Sequence, residues 1–147
     1  MKKLVIVLAI IMIIIVNDYD STSIIIPTEA IRVRVIANSN DNKDIEEKEL
    51  LKEEIQPKIY NLLKDVTSIE EARNIIKSNL SNIDVEVKKS LKKQNSNQKY
   101  EINYGLNYFP EKNFKGVTYE EGYYESLVIT LGEGKGDNWW CVFLNFF

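Results

Sequence analysis

Apolar and basic residues alternate from Ile31 to Val35, with Ile31, Val33 and Val35 separated by Arg32 and Arg34. A period of two predicts a strand with one buried and one polar face, stopped by the turn-forming run Asn38-Ser39-Asn40-Asp41-Asn42. The period then lengthens. Leu51, Ile55, Ile59, Leu62 and Val66 fall three or four apart, the stripe of an amphipathic helix, and Pro57 inside it predicts a bend or break. Thr67-Ser68-Ile69-Glu70 reads as a capping box, in which a hydroxyl and a carboxylate satisfy each other's backbone amides, and it opens a second helix over Ile69, Ala72, Ile76 and Leu80. A third helical run, Ile83, Val87 and Leu91, ends at Asn95-Ser96-Asn97. From Tyr100 the period returns to two, with Tyr100, Ile102, Tyr104, Leu106 and Tyr108 on one side, until Pro110 closes the strand. Phe114 to Thr118 predicts a short strand and Tyr124 to Leu131 a longer one, ending at Gly132. One strand, a block of about three helices and several strands on short turns predict an α+β fold: helices on one face of a mainly antiparallel C-terminal sheet into which the first strand also pairs.

Ahead of this pattern lies a different one. Met1-Lys2-Lys3 precedes an unbroken apolar run from Leu4 to Val16, followed by Asn17-Asp18-Tyr19-Asp20. As a helix the run spans about 20 Å, short against roughly 30 Å of hydrocarbon, and reads as a signal or anchor segment. The lysines hold its start inside, so the rest is expected to be exported. No small-x-small cleavage site follows, and an uncleaved segment would tether the chain to the membrane. Residues 1–23 are thus expected to be a signal or membrane-anchor segment with a polar linker, and 24–147 a single α+β domain. Ile24-Ile25-Ile26 reads equally as an edge strand or as a segment lying on the domain.

Composition narrows the chemistry. The 147 residues include no histidine and one cysteine, Cys141. His-based triads, His-ligated metals and intramolecular disulfides are therefore unavailable. Without Lys2 and Lys3, 17 of the 19 basic residues remain against 22 acidic ones, and no basic block survives to follow a nucleic acid backbone. No cofactor, small-molecule ligand or nucleic acid is expected.

Gly132-Glu133-Gly134-Lys135-Gly136-Asp137 has a superficial phosphate-loop look, but no Ser or Thr follows the lysine and no helical pattern follows the glycines, so a flexible turn is the better reading. Adjacent Trp139 and Trp140 in a strand must face opposite sides, leaving one ring for a partner; with Asn138 they form a candidate contact surface, against the alternative of core packing. Arg32 and Arg34 could clamp a carboxylate, although surface charges paired with helix glutamates are favoured. Glu120, Glu121 and Glu125 read as a solvated turn, and Cys141 lacks an activating neighbour.

The blocks Ile31-Arg32-Val33-Arg34-Val35-Ile36-Ala37-Asn38-Ser39, Tyr108-Phe109-Pro110, Glu121-Gly122-Tyr123-Tyr124-Glu125-Ser126-Leu127 and Gly134-Lys135-Gly136-Asp137-Asn138-Trp139-Trp140-Cys141-Val142 resemble, in order and spacing, the stage II sporulation protein R family of endospore-forming Firmicutes. The resemblance implies an exported, non-enzymatic signal between forespore and mother cell. It would act in the space between their membranes on a membrane-embedded aspartic protease that processes pro-sigma-E. The candidate partner-binding residues are Trp139, Trp140, Asn138, Arg32 and Arg34. Relatives continue beyond the Trp-Trp-Cys-Val block with a Pro-Pro segment and a second cysteine; here Phe143-Leu144-Asn145-Phe146-Phe147 stands instead, so the resemblance's disulfide from Cys141 is not expected. The competing reading is an extracytoplasmic hydrolase acting on cell-wall or peptide material through two carboxylates in one cleft.

Overall fold

The computed structural model describes residues 30–114 and 117–143. The apolar leader, the polar linker and Ile24-Ile25-Ile26 lie outside the described residues. Among the described residues no helix is long and apolar enough to cross a membrane.

The chain divides into two units. The larger takes in Pro27–Phe109 and Gly122–Phe147. It contains β1 (Ile31–Ile36), α1 (Asn42–Leu63), α2 (Ile69–Lys93) and β2 (Tyr100–Phe109). The smaller unit, which includes Pro110–Glu121, carries β3 (Lys112–Phe114) and β4 (Val117–Tyr119), paired antiparallel with each other. The single short strand expected over Phe114 to Thr118 is thus a two-stranded hairpin. The larger unit resumes with β5 (Gly122–Leu131) and β6 (Asn138–Phe143).

The four long strands lie in the order β2-β5-β1-β6. β2 pairs antiparallel with β5, β5 parallel with β1, and β1 antiparallel with β6. The parallel pair follows from connectivity: the helices and β2 intervene between β1 and β5, which gives the chain length enough to return in the same direction. The α+β arrangement holds, with helices against one face of a mainly antiparallel sheet.

That face carries Ile31, Val33 and Val35 of β1 with Leu127, Ile129 and Leu131 of β5, packed against Leu51, Ile55 and Ile59 of α1 and Ala72, Ile76, Ile83, Val87 and Leu91 of α2. Two helices stand where three were expected. The steps from Ile69 through Leu80 to Leu91 are all three or four residues, so one stripe stays on one side and Ser81 and Asn82 simply face outward. Nor does Pro57 break α1, which runs unbroken from Asn42 to Leu63. Pro57 lies on the solvent side, and ion pairs to α2 flank it, Lys93 to Glu54 at 2.8 Å and Lys58 to Glu86 at 2.6 Å; with Ile55 and Ile59 in the core, these offset one missing amide donor.

The start of α2 is shifted by one residue from the expected box. Ser68, not Thr67, is the N-cap: its hydroxyl accepts the Glu71 amide at 3.2 Å, while the Glu71 carboxylate accepts the Thr67 amide at 3.0 Å. Ser68-x-x-Glu71 fits the same motif as Thr67-x-x-Glu70, and the second register leaves Glu70 free to pair with Arg73. Ser68→Ala is expected to cost about 1 kcal/mol in chemical denaturation, and Thr67→Ala less than half of that. Equal losses would restore the other register.

Candidate partner-binding face

β1 is one of two inner strands of the sheet, and aromatic residues from its neighbours cover its polar face as the helices cover its apolar one. Arg32 is only 3% exposed, which overturns its reading as a surface charge. Because Ile31, Val33 and Val35 face the helices, Arg32 and Arg34 point away from them, and helix glutamates cannot be their partners.

The arginines instead enter an aromatic layer on the face opposite α1 and α2. The Arg32 guanidinium carbon lies 3.3 Å from the centre of the Tyr124 ring and 5.3 Å from that of Phe109. The Arg34 guanidinium lies 5.3 Å from Phe109 and 5.9 Å from Trp140. Phe109 is fully buried and meets Trp140 and Tyr124 edge-on, at 5.1 Å and 6.0 Å between centroids. Planar, weakly hydrated guanidinium suits such stacking, where a compact ammonium would not. Arg34 donates to Asn138 Oδ1 at 3.0 Å and to the Tyr108 carbonyl at 3.2 Å. Partial burial lowers its pKa, yet far too little to discharge an arginine near neutral pH.

The expected surface is therefore divided. Arg32, Arg34, Asn138 and Trp140 share the face opposite α1 and α2, whereas Trp139, opposite Val35, packs against the hydrophobic core on the helix side. The opposed directions of the two tryptophans follow the strand alternation, and both rings are partly buried. Cys141 shares the Trp139 side, and burial pushes its thiol pKa up, which disfavours the nucleophilic thiolate.

The glycine loop is pinned rather than flexible. Gly132 and Gly134 have φ of 55° and 62°, the left-handed region in which glycine pays no Cβ penalty. The amides that a phosphate loop would offer to an anion are spent on the turn after β1. Lys135 N donates to Asn38 O at 3.0 Å, Gly136 N to Ala37 O at 2.9 Å, Glu133 N to Asn38 Oδ1 at 2.9 Å and Asp137 N to Asn40 Oδ1 at 2.7 Å. Asn38 Nδ2 and Ser39 Oγ donate in turn to Asp44 at 2.8 and 2.7 Å, fastening the start of α1 and holding the Asp44 carboxyl below its ordinary pKa. The Ala-Asn-Ser block and the Gly-Lys-Gly-Asp block, nearly a hundred residues apart in the chain, are thus two halves of one clasp.

Glu125 is not part of a solvated turn. In β5 it takes two bonds from Arg73 of α2, both 2.8 Å, and one from the Tyr104 hydroxyl at 2.7 Å. Arg73 holds its carboxyl below the ordinary range, with help from Tyr104 and against the opposing effect of burial. The raised pKa that a carboxylic general acid needs is the reverse of this. A depressed folded pKa contributes stability above the unfolded value of about 4.3, and that contribution is lost as pH falls through the folded pKa. Glu125→Gln is accordingly expected to destabilise the fold by about 1–2 kcal/mol at pH 7 and by much less at pH 3, read from urea midpoints. A loss independent of pH would contradict this role.

One surface feature gave no warning in the periodicity. Leu106 and Tyr123 are 73% and 72% exposed, and Tyr123 meets Tyr108 edge-on at 5.6 Å. These side chains lie on the same face as the core positions of β2 and β5, at the end of the ladder beyond Tyr104. Alternation marks such positions as buried and cannot register where the covering helices stop.

The family model described as stage II sporulation protein R matches residues 27–146. Among curated proteins, stage II sporulation protein R of Bacillus subtilis (strain 168) is 38% identical over 123 residues, which cover 84% of this chain and 55% of that protein. The chain thus aligns with only about half the length of this relative. No solved structure gives a significant match. With the matched region taking in both helices and all four strands of the main sheet, the chain belongs to the stage II sporulation protein R family.

Proposed function

We propose that this protein is an exported signal in sporulation that activates, without itself catalysing a reaction, a membrane-embedded aspartic protease, which then processes pro-sigma-E in the mother cell. The observation that carries this reading is the family match over residues 27–146. The leader pattern supports export into the space between the forespore and mother-cell membranes, whether the segment is cut or remains as a tether. An activating ligand needs a surface that binds the active state of its target more tightly than the inactive one. The exposed Leu106 and Tyr123 side chains suit that task, being large and apolar or aromatic without serving the core, and tyrosine is among the residues enriched where binding energy concentrates. Trp140, Asn138 and Arg34, all partly buried, offer a second surface on the opposite side of the sheet, and Arg32, which is buried, serves its packing rather than contact.

Complementation of a sporulating strain lacking its own copy tests the reading, with pro-sigma-E cleavage followed by immunoblot. The unaltered chain is expected to restore cleavage, and a Leu106→Ser, Tyr123→Ser variant at equal protein level to lose most of it. Trp139 is left intact because its ring packs on the core. Absence of cleavage with the unaltered chain, exported and folded, would overturn the signalling role; full cleavage with the variant would move the contact away from Leu106 and Tyr123.

A further inference from the structure

Where the N-terminal half of α1 runs beside the last turn of α2, an open groove of about 480 Å³ is lined by Lys43, Glu46, Glu47, Leu50, Glu54 and Lys93. Glu47 forms part of its wall and is only 6% exposed. Its Oε1 is fully buried and has no hydrogen-bond partner among the described residues. Lys93 pairs with Glu54 at 2.8 Å and Lys48 with Glu49 at 3.1 Å, and Lys43, also on the wall, makes no hydrogen bond to Glu47 Oε1. Gln94 reaches Glu47 only through the backbone, donating to its carbonyl at 3.4 Å. The preference of acidic residues for a helix N-terminus accounts for Asp44 in the first turn of α1 but does not extend to Glu47 in the second, and it gives no reason for a carboxylate oxygen shut away from water without a donor.

We propose that this groove receives a lysine or arginine side chain of a partner polypeptide, with Glu47 as the anion that pairs with it. A rotation of the Glu47 side chain at the groove wall would bring its carboxylate to an incoming donor, and a charge-assisted bond to a partly desolvated carboxylate is stronger than one at an open surface. Leu50, 42% exposed, offers an apolar shelf beside the carboxylate for the aliphatic stem that both basic side chains carry. A metal ion fits less well, since the described residues contain no group of three His, Cys, Asp or Glu side chains able to hold one. This site lies on the helices and is independent of the sporulation reading.

The test is a titration of the full chain, followed by amide chemical shifts, with a short alanine peptide carrying two arginines. The control is the same peptide with citrulline, which keeps the shape and removes the charge. The arginine peptide is expected to move the amides of Glu47, Leu50 and Gln94 saturably and the citrulline peptide to leave them in place. Glu47→Gln, nearly isosteric, is expected to weaken binding about tenfold, and Leu50→Ser, at an exposed position, about threefold. Equal response to both peptides would overturn the proposal, as would wild-type affinity in a Glu47→Gln variant with an unchanged melting temperature. Equally tight binding of a single blocked arginine would overturn the polypeptide as its source.

Discussion

Gly136→Ala is expected to lower the melting temperature by about 10 °C, the equivalent of roughly 2–3 kcal/mol. A methyl on Gly136 would sit 2.6 Å from the Ser39 carbonyl carbon and 2.8 Å from Ala37 Cβ, well inside contact distance. Two of these neighbours' atoms belong to backbone or to its first side-chain carbon, so neither can swing aside. Relief requires opening the clasp between the β5–β6 loop and the turn after β1, which would break the bonds from Gly136 N to Ala37 O and from Lys135 N to Asn38 O. The loss is steric, not conformational. Gly134→Ala is a different case: its φ is 62°, and a methyl there meets the Thr130 side chain at 2.6 Å. Thermal unfolding of the Gly136→Ala protein decides the matter, and a shift below about 3 °C would mean that the clasp yields easily.

Arg32→Ala is expected to cost about 3 kcal/mol, because it empties the space between Phe109 and Tyr124 and removes their cation. Arg32→Lys should recover less than half of that loss. It keeps the charge, but a lysine ammonium cannot lie flat on the Tyr124 ring as the guanidinium does at 3.3 Å. Near-ultraviolet circular dichroism of the aromatic bands, read beside the urea midpoint, distinguishes loss of the layer from global unfolding. Full rescue by lysine would show that charge alone matters at this position.

The secondary structure was legible wherever one periodicity ran long enough. Ile31 to Val35 and Tyr100 to Tyr108 alternate clearly, and both are strands. The stripe from Ile69 to Leu91 was also visible, but the run to Leu80 and the run from Ile83 were read as separate helices, a boundary that helical geometry does not require. Capping offered two registers one residue apart, and choosing between them depends on Arg73 drawing Glu70 aside and on Glu71 reaching back to Thr67. The candidate site was legible only in part: the two tryptophans were bound to diverge because a strand has a period of two, while nothing in the local pattern said which of them would meet the core.

What the sequence determined by itself was the alternation of strands and helices, the short-range chemistry that excludes histidine catalysis, and the paired blocks that mark the family. Tertiary structure alone decided that β1 is an inner strand, with β5 parallel on one side and β6 antiparallel on the other. Arg32 is buried for that reason: a strand with neighbours on both edges has its polar face covered when aromatic residues from β2, β5 and β6 converge on it. The same holds for the clasp of Asn38 with the glycine loop and for the bond of Arg73 to Glu125, which join residues 95 and 52 positions apart. Local pattern reports which side of an element is apolar; which partner arrives there depends on strand order and on where the helices end.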